Sequence, residues 1–171
     1  QRDLTGRYEI HELLRQFAAE QLVNTPEMET SVRNRHSAYF CQIMEEWAPD
    51  LKGPQQENTL EKIDVEFSNT LTAWNWAVSQ KNIAWLGQVL DGLLLFCNWR
   101  SRHQELVNIC QNTIAVLQYS TSAAGLKLLI KLQNWNSLFT KDGEKSHRLL
   151  QKSLELLKHP VLADEDTGSE E

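Results

Sequence analysis

From Ile10 to Leu157 the apolar residues of this chain recur at intervals of three and four. That spacing lays one stripe along an α-helix and cannot line one face of a strand. The first stripe is Ile10, Leu13, Leu14, Phe17, Ala18 and Leu22. A second runs through Val32, His36, Tyr39, Phe40, Ile43, Met44 and Trp47, and Pro49 ends it. The third is unusually long: Leu60, Ile63, Phe67, Leu71, Trp74 and Val78. Stripes of this kind must be buried against one another, because no sheet face is on offer, so the fold class is all-α.

Four further helices complete the pattern. Leu86, Val89, Leu90, Leu93, Leu94 and Cys97 make a segment that is apolar on more than one side, which predicts a central helix packed from two directions. Leu106, Cys110, Ile114 and Leu117 mark a fifth helix. A sixth runs from about Ala124 to Phe139, and the seventh carries Leu149, Leu150, Leu154 and Leu157 until His159-Pro160 stops it. The breaks between them carry turn chemistry: Pro26 in a linker over 25–31, Gly53 and Pro54 in a surface loop over 50–57, Lys81-Asn82, Asn98 to Ser101, Tyr119 to Ser122, and Asp142-Gly143.

Two of the helical hairpins are comparable. Leu95-Phe96 and Leu106-Val107 each recur, as Leu138-Phe139 and Leu149-Leu150, 43 positions later. Such an interval suits an array of helix pairs with a variable connection. The segment from Leu128 to Pro160 is similar to a tetratricopeptide repeat in its turn at Asp142-Gly143, its small Ser146 and Ser153, and its closing Pro160. It departs from that pattern at Trp135, Asn136 and Ser137, where only one small residue stands.

Composition excludes several functions. Five of the 23 acidic residues lie in 161–171, which leaves 18 acids against 17 bases in the body. A nearly neutral body has no field to gather a polyanion, so direct nucleic-acid binding is not expected. The apolar run around Leu93-Leu94-Leu95-Phe96 is far shorter than the roughly 20 residues of a membrane span, so no membrane partner is expected either. Cys41, Cys97 and Cys110 are dispersed and odd in number, which reads as reduced, buried thiols and a cytoplasmic location. They and the five histidines show no ligand spacing, so no metal is expected. Glu57, Glu61, Asp64 and Glu66 read as a solvated helix face rather than an acid/base pair. There is no phosphate-binding glycine loop and no nucleophile elbow. Trp85 and Trp99 fall near helix ends, where they can line a groove; with Arg100 and Arg102 they are the candidate partner-binding residues.

Arg7 to Ile10 alternates polar and apolar after a turn residue, Gly6, and then runs straight into the first helix through Ile10-His11-Glu12. This strand-to-helix passage resembles the Met-His-Asp signature that closes the winged helix of signal-transduction ATPases with numerous domains, the superfamily that includes the NB-ARC switches. The middle of the chain is similar to the segment that joins winged helix to repeats in bacterial regulators of that superfamily. Arg35 to Phe40, then Pro49, Leu51, Gly53 and Gln56, then Glu66, Asn69, Ala73 and Trp76 stand at the corresponding places, with Thr70 where a leucine is usual.

The resemblance implies a piece of a larger protein: a winged-helix remnant of one short strand and one helix (1–24), a linker (25–31), a right-handed superhelix of antiparallel helix pairs of tetratricopeptide type (32–160) and a disordered acidic tail (161–171). It implies that His11 approaches the phosphate of ADP in the full-length parent, whereas in this chain alone it reads as an ordinary helix-start residue. ADP or ATP would be the parent's cofactor, and none is expected here. The expected partners are a protein or small-molecule inducer and, within the parent, the upstream nucleotide-binding module. The expected function is the non-catalytic sensing region of a cytoplasmic signalling ATPase or transcriptional regulator; a free-standing tetratricopeptide adaptor that clamps peptides is the alternative.

Overall fold

The computed structural model describes residues 11–162, and every regular element among them is helical. The strand expected over Arg7 to Ile10 lies outside the described residues, as does the acidic tail from 163 on. The helices are α1 (Glu12–Val23), α2 (Pro26–Trp47), α3 (Gln56–Ser79), α4 (Ile83–Trp99), α5 (His103–Leu117), α6 (Ala123–Phe139) and α7 (Gly143–Leu157), with a 3-10 turn at Ala48–Lys52 between α2 and α3.

The chain divides into two compact units, the first ending at His36 and the second beginning at Ser37. In the first, α1 leaves Leu13, Leu14 and Phe17 more than half exposed. The segment 25–31 proves not to be a loop: from Pro26 on it forms the opening turns of α2. A proline at the first helical position loses no hydrogen bond and is preset in φ, and Glu27 and Glu29 favour the positive end of the helix dipole. Pro26 starts a helix instead of spacing two domains.

In the second unit each helix from α3 on packs on its neighbour in sequence, and α3 on α5 and α4 on α6 pack at the next remove. This is a helical repeat-like arrangement. Helix α4 is its centre, touching α3, the 3-10 turn, α5 and α6. Leu86, Val89, Leu90, Leu93 and Leu94 have no exposed surface, as the two-sided apolar pattern predicts. Gly92 permits a close approach of α4 to the end of α2: a Cβ there would lie 3.1 Å from Met44 Cε and 3.2 Å from Ala48 Cβ. The loop expected over 50–57 is in part core, since Leu51 is completely buried and the 3-10 turn rests on α3 and α4. Leu51 lies outside any helical stripe, so periodicity gives no sign of its burial.

The connections are set by their residues. Asn82 Oδ1 accepts the Trp85 N–H at 3.1 Å, Ser122 Oγ the Gly125 N–H at 3.2 Å and Asp142 Oδ1 the Lys145 N–H at 3.1 Å. Each satisfies a donor that the first turn of a helix leaves open. At the ends of α3 and α4 the chain turns through left-handed residues, Lys81 (φ 51°) and Ser101 (φ 56°). The N–H groups of Asn82 and Arg102 bond back to Ala77 O (2.9 Å) and Cys97 O (2.7 Å), the Schellman closure.

The repeat interval is 40, not the 43 expected. Helix α4 at 83–99 recurs as α6 at 123–139, and α5 at 103–117 as α7 at 143–157, with helix lengths unchanged. Matching residue types slips the comparison by three positions. Three residues is close to one helical turn, so an apolar stripe laid on itself one turn out of register still matches. At the true interval the capping Asn82 meets the capping Ser122, and the buried Thr113 meets the buried Ser153.

Trp74 is 1% exposed in the seam around α3, whereas Trp99 is 53% exposed at the end of α4. Truncating a large buried aromatic costs about 3–5 kcal/mol, against a total domain stability of roughly 5–15 kcal/mol. Trp74→Ala should therefore abolish or sharply lower the thermal transition followed by circular dichroism, and Trp99→Ala should shift it by no more than a few degrees. A lower melting point for Trp99→Ala would show that the core seam does not run through α3.

Candidate functional site

The turn between α4 and α5 brings charged and aromatic side chains of α3, α4 and α5 together. With Ser101 in the left-handed region, Arg100 and Arg102 both reach Asp64 on α3. Arg100 Nε lies 2.7 Å from Asp64 Oδ2, and Arg102 Nη2 lies 3.4 Å from Asp64 Oδ1. Arg102 Nη1 also approaches Glu105 Oε1 at 3.8 Å. The Arg102 guanidinium stacks over Phe67, 4.3 Å from the ring centroid, with Phe96 at 5.6 Å. Two bases thus meet two acids, and the cluster is locally neutral. All four side chains are about a third to a half exposed, so the ion pairs add little stability. Their effect is geometric: they clamp the turn to α3 and hold Arg102 over an aromatic face.

Beside the clamp, Trp99 stands exposed, and His103 stacks on Phe139 with ring centroids 4.7 Å apart. Phe139 in turn lies parallel to Trp135 at 6.1 Å. The structure therefore brings three of the candidate partner-binding residues, Trp99, Arg100 and Arg102, to one turn. Trp85 is not among them. It sits in the first turn of α4, about 20 Å away along the helix axis at ~1.5 Å per residue, where it is half-buried against the core. Asp64 is the residue that sequence reading missed. Its partners lie 36 and 38 positions away, so its place on an acidic helix face carried no sign of them.

A second concavity lies between the end of α2 and α4. It is open to solvent, has a volume of about 320 Å³ and is lined by Glu45, Lys52, Gly87, Gln88, Asp91 and Leu95, among others. Three of its polar side chains are already engaged: Gln88 Nε2 donates to Glu45 Oε2 at 2.9 Å, and Lys131 Nζ on α6 reaches both oxygens of Asp91, at 2.7 and 3.0 Å. Asp91 and Lys131 occupy equivalent positions of the two repeats, so this pair also fixes one repeat against the next. Gly87 differs from Gly92, because a Cβ at Gly87 would meet nothing within 4 Å. Packing does not require this glycine; its effect is to keep the groove wall bare.

His11 caps α1: its Nδ1 accepts the Leu13 N–H at 3.3 Å, and the residue is exposed. Among the described residues no group of three His, Cys, Asp or Glu is placed to hold a metal ion, and no helix is long and apolar enough to cross a membrane. The chain matches no protein-family model, no curated protein and no solved structure.

Cys41, Cys97 and Cys110 are free and buried, and burial pushes each thiol up to about 12. The thiolate is the reactive form, so at any pH well below that value the folded thiols stay protonated and inert. Labelling with a thiol-specific disulfide reagent at pH 8 should proceed only at the rate of unfolding and should accelerate in denaturant; rapid labelling of the folded chain would place a cysteine at the surface. Gly87→Ala should raise stability by about 0.5–1 kcal/mol, the ordinary helix-propensity difference, read as a higher denaturant midpoint. A lower midpoint would mean that the groove wall is closed.

Proposed function

We propose that this chain is the helical-repeat interaction region of a signalling ATPase of the superfamily with numerous domains, non-catalytic itself and joined to a winged helix at its first helix. The observation that carries the reading is the recurrence of a helix pair, α4–α5 as α6–α7, with each helix packed on its neighbour and α4 also on α6. An array built that way grows by stacking units and presents one continuous surface, which suits recognition of a partner better than chemistry at a point. The exposed Leu13, Leu14 and Phe17 of α1 support the other half of the reading. They are the face that a last winged-helix helix would lay on the helices before it. His11 at the start of α1 would then be the phosphate-facing residue, and inducer binding would act by favouring one nucleotide state of the switch over the other.

The free-standing peptide clamp is the weaker reading. A clamp for peptide carboxylates needs unpaired Lys and Arg along its groove. Here Lys131 is held by Asp91, and Arg100 and Arg102 are held by Asp64.

The reading is tested with nucleotide. Titration of ADP into this chain should give no binding heat at micromolar to millimolar concentrations, because one histidine cannot replace a cradle of backbone amides and a lysine. In a protein that also contains the nucleotide module, His11→Ala should speed ADP release roughly ten- to hundredfold, the equivalent of about 1.5–3 kcal/mol for one charge-assisted contact. Unchanged ADP release there would remove His11, and with it the superfamily assignment, from the account.

A further inference from the structure

We propose that Ser101 is a phosphorylation site, and that its phosphate takes Arg100 and Arg102 from Asp64 and so releases the turn between α4 and α5 from α3. The inference stands on the geometry of that turn and is independent of the nucleotide-switch reading.

Ser101 is the one serine or threonine of the chain with an arginine on each side. It is exposed in the turn, its backbone is left-handed (φ 56°), and α5 begins at His103. The other described serines and threonines that adjoin a Lys, Arg or His are Ser37, Thr140, Ser146 and Ser153. Ser37 and Ser153 are buried, and the hydroxyls of Thr140 and Ser146 donate to the carbonyls of Asn136 and Ser137, at 2.7 and 3.0 Å. A kinase that selects basic residues needs an exposed hydroxyl beside them, and among these Ser101 alone combines the two.

The charge around Ser101 makes the modification consequential. Asp64 holds Arg100 at 2.7 Å and Arg102 at 3.4 Å, with Glu105 3.8 Å from Arg102. Two cations therefore share one carboxylate and approach a second, all of them partly exposed to water. Transfer of the γ-phosphoryl group of ATP forms the bond from Ser101 Oγ to phosphorus and breaks the bond from phosphorus to the β–γ bridging oxygen. ADP leaves, and the kinase's base takes the hydroxyl proton. The product carries about 1.5–2 negative charges and three strong acceptor oxygens, against the single charge of a carboxylate. It is attached between the two arginines, whose guanidinium groups form strong charge-assisted bonds to phosphate. The cluster, neutral beforehand, becomes negative, so Asp64 and Glu105 are repelled by the group that has taken their partners. Arg102 leaves its place over Phe67, and the tie between α3 and the turn is lost.

The whole chain is incubated with ATP and a serine kinase that selects basic residues on both sides of its target, and the product is mapped by peptide mass spectrometry. A phosphate on Ser101 that is absent from Ser101→Gly is expected; glycine suits the left-handed turn, so that variant should fold as the wild type does. No phosphate on Ser101 of the folded chain overturns the proposal. The chain carrying phosphate on Ser101, made by incorporating phosphoserine during translation, then reads the switch. In phosphorus magnetic resonance its second ionisation should fall at a pH about one lower than in a free phosphoserine peptide, and Arg100→Gln with Arg102→Gln should reverse that displacement. In the unmodified chain Asp64→Asn should displace the Arg100 Nε resonance, whose hydrogen bond to the carboxylate is lost. In the phosphorylated chain the same substitution should displace it far less. A phosphate that titrates like the free peptide, or an equal displacement by Asp64→Asn in both forms, overturns the proposal.

Discussion

Leu86, Val89, Leu90, Leu93 and Leu94 leave α4 with little polar face, and such a helix is stable only where other helices cover it from several sides. Each of these side chains adds about 1.5–3 kcal/mol when fully withdrawn from water, and that gain depends on α3, the 3-10 turn, α5 and α6 all being in place. The rest of the second unit can be understood as the means of covering α4. The long α3 supplies Phe67 and Trp74; the 3-10 turn inserts Leu51; Gly92 lets the end of α2 come close enough to seal that flank. Unfolding is therefore cooperative, since no one of these layers has a buried face without the others.

Burial of α4 also explains where the polar chemistry ends up. The flanks of the array are joined by ions that bridge layers: Asp91 to Lys131 between α4 and α6, and Asp64 to Arg100 and Arg102 between α3 and the α4–α5 turn. Pairs as exposed as these contribute little to stability. They act on orientation, fixing which turn of one helix meets which turn of the next. The left-handed Ser101 has the same effect at the turn, since its backbone aims the arginines on either side of it at one carboxylate. A conformation that costs on the order of 1 kcal/mol for a residue with a Cβ is held there by the ions and by the Arg102–Phe67 stack.

All seven helices were legible in the sequence because each carries an apolar stripe, and a stripe is a local pattern. The central place of α4 was legible for the same reason, its apolar residues running past the width of one stripe. What escaped was whatever depends on register between distant segments. The repeat interval slipped by three residues because a helix is hard to tell from itself one turn along. The start of α2 was displaced because Pro26 breaks a helix or begins one according to the residues on its C-terminal side. Leu51 belongs to no stripe, and its burial is decided by the helices on which the 3-10 turn lies. At the candidate site Trp99, Arg100 and Arg102 were found as neighbours in sequence, while Asp64 and Phe67, which hold them, were invisible to any local pattern. The apolar stripe of α7 was read as core by the same logic that succeeded elsewhere. Half of it is exposed, because periodicity reports that a face wants cover and is silent on whether a neighbour supplies it.

That last distinction bears on how an array of this kind works. In a closed bundle every stripe is matched and the surface is polar by construction, so recognition must be added by a special loop. In a stacked array each added pair covers the row behind it and exposes a new one, so an uncovered apolar row arises at an end without any residue being set aside for the purpose. Among the described residues, helix α7 leaves Leu150, Leu154 and Leu157 exposed in this way. The open concavity beside Gly87, by contrast, has Glu45 and Asp91 already engaged and is walled in part by a helix that cannot shift without uncovering the core. Helix α7 packs on α6, whereas α4 is covered by α3, the 3-10 turn, α5 and α6, so the cover of α4 does not depend on what meets the outer row of α7.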